Sequence, residues 1–173
     1  MNQVADDSSD YDELYRTHHA HVLRLCRLLL SDPHEADDVS QEVFLKLLRE
    51  HRAAHDVAWG RWLTTVTVNA CRDRRRSGWW KWWRERHGNF DEAELRWMGM
   101  TPEDAVSSAE TANHIWTAFR ALSVRQQEVF ALRQLEGWST DEVAATLGLS
   151  AGTVKRHLYR AVHHLRSAIR GQR

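Results

Sequence analysis

Residues Ser139 to Ile169 read STDEVAATLGLSAGTVKRHLYRAVHHLRSAI, and this stretch constrains the chain more tightly than any other. Ser139 can cap a helix while Glu142, three residues on, reaches back to the cap's own amide, a reciprocal capping box. Val143, Ala144 and Leu147 share one face at helical spacing, and Gly148 follows, free to take the left-handed conformation that ends a helix. Leu149 fills the corner and Ser150 caps the next helix, whose apolar stripe is Val154, Leu158, Ala161, Val162, Leu165 and Ile169. A short, sharply stopped helix before a long one is the pattern of a helix-turn-helix. Outside the stripe the second helix is mostly basic. Lys155, Arg156, Arg160, Arg166 and Arg170 meet no acid after Ser150, so attraction to phosphate is unopposed there. Ala151, Gly152 and Thr153 are small enough to let the backbone approach a groove. Thr153, Lys155, Arg156 and Arg160 are best placed to meet base edges. The bland alternative is a protein-interaction module whose basic helix is a solvated face; the acid-free helix favours nucleic acid.

Upstream, Ala118 to Leu135 is expected to supply a supporting helix, with a second capping box at Ser123 and Gln126. Phe119, Leu122, Val129, Phe130, Leu132 and Leu135 are available for its core, and Gly137 and Trp138 make the corner into the motif.

A formal net charge of zero argues superficially against a nucleic-acid partner, but the distribution overturns that inference. Acids outnumber bases twelve to six from Met1 to Gly60, bases win eight to two from Arg61 to Arg86, acids win ten to four from His87 to Leu149, and the rest is basic only. Blocks of opposite charge can face different partners. Helical periodicity dominates and no alternating strand is convincing, so the chain reads as all-α; its 173 residues suffice for one ordinary domain or two small ones.

Cys26 and Cys71 are too few and too isolated for a disulfide framework, and a reduced, cytoplasmic protein is expected. His18, His19, His21 and Cys26 lack a second pair at ligand spacing, so no metal site is expected. Ser, His and Asp are plentiful, yet none stands in a nucleophile-elbow, Walker or paired-metal context; neither catalysis nor a cofactor is expected. No signal peptide or membrane-length apolar run is read, so stable membrane insertion is not expected.

In the N-terminal half, Asp10 to Leu30 reads as a long helix with Tyr11, Leu14, Tyr15, His18, Val22, Leu25, Cys26 and Leu29 on one side. Asp32 caps and Pro33 opens a second helix. There Val39, Val43, Phe44, Leu47 and Leu48 face a core, whereas Asp37, Asp38, Gln41, Glu42 and Lys46 lie on other faces. After the loop His51 to Ala58 comes WGRWLTTVTVNACRDRRRSG. Trp62, Leu63, Val66 and Ala70 recur at helical intervals, and Arg72, Arg74, Arg75 and Arg76 crowd the far end. Aromatics interleaved with arginine suit unstacked nucleic acid, because a base can stack on an indole while guanidinium groups hold the backbone.

The order ADDVSQEVFLKLL, WGRWLTTVTVNACRDRRR, a variable linker, then ALSVRQQEVFALRQLEGWSTDEVAATLGLSAGTVKRHLYRAVHHLR resembles a bacterial sigma factor of the extracytoplasmic-function class. The resemblance implies an RNA polymerase initiation subunit with two small helical domains joined by a flexible linker: residues 1–76, a linker at 77–109, and a helix-turn-helix domain at 110–173. It implies that Asp37, Asp38, Gln41 and Glu42 grip the coiled-coil clamp of core polymerase. The loop His51 to Ala58, with His55 and Asp56, and the helix bearing Trp62, Asn69, Arg72, Asp73, Arg74, Arg75 and Arg76 would melt and read the minus-ten element. Ser150, Thr153, Lys155, Arg156, His157 and Arg160 would read the minus-thirty-five element as duplex. An anti-sigma protein masking the polymerase-binding surfaces is the implied regulator.

One segment departs from the family pattern. After Ser77 and Gly78 comes WWKWWRERHGNF, and a continued helix would set Trp79, Trp80, Trp82 and Trp83 on one wide face with Lys81, Arg84 and Glu85 opposite. Four exposed indoles would need an occupant. The chain's own domains, an anti-sigma protein or the polymerase, a membrane surface, and promoter DNA all stay open. Two rival readings of the whole chain also stand: a stand-alone helix-turn-helix regulator, and a membrane-surface interaction protein built on the tryptophan segment.

Overall fold

The computed structural model describes residues 3–51, 57–76 and 105–170, with side chains described in 10–51, 57–76 and 113–170. The chain divides into two compact units, Met1–His87 and Gly88–Arg173. Every regular element among the described residues is helical.

The first unit packs three helices pairwise: α1 (Gln3–Leu29), α2 (Pro33–Glu50) and α3 (Trp59–Arg76). Asp32 starts α2 as read from sequence, its carboxylate accepting from the His34 and Glu35 amides at 2.7 and 3.2 Å, with Pro33 opening the helix. Val22, Leu25, Cys26, Leu29 and Leu30 of the α1 side meet Val39, Val43, Phe44 and Leu47 of α2 and Leu63, Val68 and Cys71 of α3 in one buried core. Each such side chain contributes about 1.5–3 kcal/mol on burial. Thr64 and Thr67 enter this apolar layer because their hydroxyls donate back to the Gly60 and Leu63 carbonyls at 3.0 and 2.7 Å. His51 closes α2 and is buried against the Tyr11 ring, 5.6 Å between ring centroids, rather than exposed for a contact with DNA. Leu48, expected in the core, is instead exposed: it falls at the margin of the α2 face that α1 and α3 cover, around Val39, Val43 and Leu47.

In the second unit α7 (Ala151–Arg170) is the hub against which α4 (Ala105–Ala121), α5 (Val124–Phe130) and α6 (Thr140–Leu147) pack. The single helix expected over Ala118 to Leu135 is broken. α4 ends at Ala121, Ser123 caps α5 with Gln126 in a capping box, and a π-helical turn, Ala131–Leu135, follows. Buried Gln127 holds this break together, its amide donating to the Phe119, Leu122 and Arg120 carbonyls at 3.0, 3.3 and 3.4 Å. The π turn also explains why Leu135, its last residue, is 58% exposed rather than in the core: with i→i+5 bonding each residue of the turn advances through a smaller angle, which moves Leu135 off the α-helical stripe. α4 begins at Ala105, so residues 105–109, read as linker, are helical.

Candidate functional site

The helix-turn-helix is built as its sequence dictates. Ser139 accepts from the Glu142 amide at 3.2 Å while Glu142 accepts from the Ser139 amide at 2.7 Å. Gly148 stops α6 at φ +65°, and the Leu149 amide reaches the Ala144 carbonyl at 2.9 Å. Ser150 then caps α7, accepting from the Thr153 amide at 3.2 Å and pairing with the Thr153 hydroxyl at 2.9 Å. Val154, Ala161 and Leu165 are buried, which fixes the rotation of α7; Ile169, expected in the same stripe, is exposed in the last turn.

That rotation presents Lys155, Arg156 and Arg160 to solvent. His157 points elsewhere. It is half-buried, and burial, then the charges of Arg156, Arg160 and Arg125, hold its imidazole below the usual histidine range. Its charged neighbour on α5, Arg125, pairs at 3.0 Å with the buried carboxylate of Glu128. A residue missed by the sequence reading sits among the exposed bases: Tyr159 is 71% exposed, its ring 6.1 Å from that of His163. Its position four residues after Lys155 and three after Arg156 is the signal that could have found it.

In the first unit the candidate residues fall on two helices. On α2, Asp38, Gln41 and Glu42 are exposed, and Asp37 accepts from Arg27 at 3.3 Å. On α3, Trp62 is half-buried, with the Trp59 ring edge-on at 5.4 Å and the Lys46 ammonium 5.9 Å from its centroid. Arg72 donates to the Asn69 side chain at 3.3 Å, while Asp73 and Arg76 are exposed and Arg75 is half-buried. Arg74 is engaged differently, donating to Glu35 at 2.5 Å and also to Glu42, both on α2. Burial pulls its guanidinium pKa down, but the Glu35 hydrogen bond and the charges of Glu35, Glu42 and Asp38 more than reverse that. The structure thus joins one residue expected at DNA to one expected at the polymerase. His55, Asp56 and the four tryptophans from Trp79 to Trp83 lie outside the described residues.

Residues 14–81 match the family model for Sigma-70 region 2, and residues 113–165 match that for Sigma-70, region 4. Over 162 residues the chain is 32% identical to the ECF RNA polymerase sigma factor SigM of Mycobacterium tuberculosis, covering 91% of this chain and 76% of that protein. The chain belongs to the ECF RNA polymerase sigma factors. A second relative, the RNA polymerase sigma-E factor of Streptomyces coelicolor, is 30% identical, covering 92% of this chain and 86% of its own length. Two solved structures share the fold. One is the sigma factor RpoE of Bartonella quintana in complex with the anti-sigma factor NepR (TM-score 0.67, 18% identity, 95% of this chain and 99% of that one). The other is CnrH in complex with the cytosolic domain of CnrY (TM-score 0.65, 20% identity, 96% and 91%).

A sigma factor is a non-catalytic initiation subunit that directs core RNA polymerase to promoters, and this chain carries both of the regions such a protein needs. Region 2 takes in much of α1 with all of α2 and α3, and region 4 runs from within α4 through α5 and α6 to Leu165 of α7. Among the described residues no helix is long and apolar enough to cross a membrane.

Proposed function

We propose the following division of labour within this sigma factor. The first domain, residues 1–76, binds the polymerase clamp through Asp38, Gln41 and Glu42, with Asp37 at the margin, and captures melted minus-ten DNA on α3. Trp62 supplies a stacking face, Asn69 and Arg72 a polar edge, and Arg75 and Arg76 phosphate attraction. Opening costs a few kcal/mol for each unstacked base, which base capture and phosphate contacts can offset. The second domain, residues 110–173, lays α7 in the major groove of the minus-thirty-five duplex, with Lys155, Arg156 and Arg160 toward the DNA. Residues 77–109 are the tether, its last five forming the start of α4. The protein makes and breaks no bond itself. It acts in the cytoplasm, where its two free cysteines stay reduced, and it is controlled by an anti-sigma protein, the kind of partner bound in the RpoE complex.

The observation that carries this reading is the exposed Lys155, Arg156 and Arg160 at the N-terminal end of a helix whose rotation is fixed by Val154, Ala161 and Leu165. Purified core polymerase supplemented with this protein is expected to transcribe from a distinct set of promoters. Duplex binding with inert core polymerase would overturn the proposal in favour of a stand-alone regulator.

A further inference from the structure

Glu35, Asp38 and Glu42 lie on one side of α2 at spacings of three and four residues, so three carboxylates are stacked within two helical turns. Like charges so placed repel, and an unpaired ridge of this kind would splay its side chains into solvent. Arg74 reaches across from α3 and grips both ends of the ridge, one terminal nitrogen on Glu35 and the other on Glu42. The bond to Glu35 is sheltered, the two side chains being 24% and 15% exposed, whereas Glu42 is 58% exposed and open to a partner on its free side. A planar guanidinium with two separate donor nitrogens can make this bridge; a lysine ammonium cannot span both carboxylates in the same geometry.

We propose that Arg74 is a positioning residue of the polymerase-binding surface, holding Glu42 and the acidic ridge of α2 in the arrangement that docks, and is not a reader of the minus-ten element. Both of its terminal nitrogens already donate to carboxylates, and a phosphate brought to it would meet Glu35 and Glu42 as well. Arg72, which donates to Asn69, and Arg75 and Arg76, on the same last turns of α3, keep the DNA role proposed above. This inference rests on α2 being the polymerase-binding helix.

The test uses the full chain and purified core polymerase. R74Q is expected to weaken assembly about three- to tenfold, while base preference at the minus-ten element, measured on holoenzyme at saturating protein, stays unchanged. In an E42Q background the effect of R74Q on assembly should shrink, because Arg74 acts through Glu42. R74K, which keeps the charge but not the fork, should fall between wild type and R74Q, and it replaces R74Q if that variant fails to fold. Unchanged assembly, an undiminished R74Q effect in E42Q, or altered minus-ten preference at saturation would each overturn the proposal. Asp38→Ala separates the two levels: if it too leaves assembly intact, the reading of α2 is wrong; if it weakens assembly while R74Q does not, only the role of Arg74 is wrong.

Discussion

Gly148 is the residue on which the geometry of the helix-turn-helix turns, and replacing it with alanine tests why a glycine stands there. Its φ is +65°, and a Cβ built on it meets nothing within 4 Å, so no steric penalty enters. What remains is backbone strain. A left-handed conformation costs a residue with a Cβ roughly 1–2 kcal/mol, and the stiffer unfolded chain returns about 0.4–1 kcal/mol of that. The net loss for Gly148→Ala is therefore about 1 kcal/mol, near a fivefold shift in an opening equilibrium. Hydrogen exchange resolved along the full chain is the suitable assay. Amides of α6 and α7 that exchange through opening of their own unit should speed up about fivefold, and those of α1 to α3 should not change. Gly148→Asn should be much milder, since asparagine tolerates this conformation. An unaltered exchange rate in Gly148→Ala would refute the strain argument, and equal damage from Asn and Ala would place the cause somewhere other than φ.

Arg156 is exposed beside Thr153, and Arg156→Ala should cost about 1–3 kcal/mol of duplex affinity if the guanidinium reads a base edge; a loss uniform across minus-thirty-five variants would assign it to phosphate instead. Gln127→Leu removes an amide bonded to three carbonyls at the α4–α5 break and should destabilise the second unit by about 1–3 kcal/mol, read as a lowered calorimetric transition. Burial chiefly, with His21 beside His18 and Arg24 beside His21, holds both imidazoles below the ordinary value of 6.5, and burial with Arg156 and Arg160 does the same to His157. The folded chain then binds fewer protons than the unfolded one, so this stability is fully present above 6.5 and is lost as pH falls through the folded values. Thermal midpoints should drop on mild acidification, and His21→Gln should blunt the drop in the first unit; midpoints that stay level below pH 6.5 would contradict the shifts.

What could be read from the sequence was what local chemistry decides. The capping boxes at Ser123 and Ser139, the Asp32–Pro33 start and the Gly148 stop each depend on residues within a few positions of one another, and each appears as expected. Exposure was legible only where periodicity alone decides it. Leu48 and Leu135 carry the right spacing for a core, but Leu48 falls at the margin of the α2 face that α1 and α3 cover, and the π turn moves Leu135 off the expected stripe. Arg74 illustrates the deeper limit. Its partners lie 39 and 32 positions away, so the run of arginines at the end of α3 gives no hint that one member is turned inward.

The same contrast resolves how a chain of zero net charge can serve a polyanion. Net charge describes the field far from a protein, but beyond about 8–10 Å at physiological salt that field is screened. A groove or a clamp helix meets the charge of one face. On α7 the exposed side chains after Ser150 are cationic or neutral, whereas on α2 Asp38 and Glu42 stand exposed with Arg74 compensating part of the ridge. Acids that cancel the bases in the formula are thus carried on another element, to which we assign another task. Binding at each face can then be tuned by single residues without altering the other, except where one side chain spans two elements. Arg74 is such a side chain, which is why a substitution there is expected to alter assembly from a position that looks, in sequence, as though it belongs to DNA.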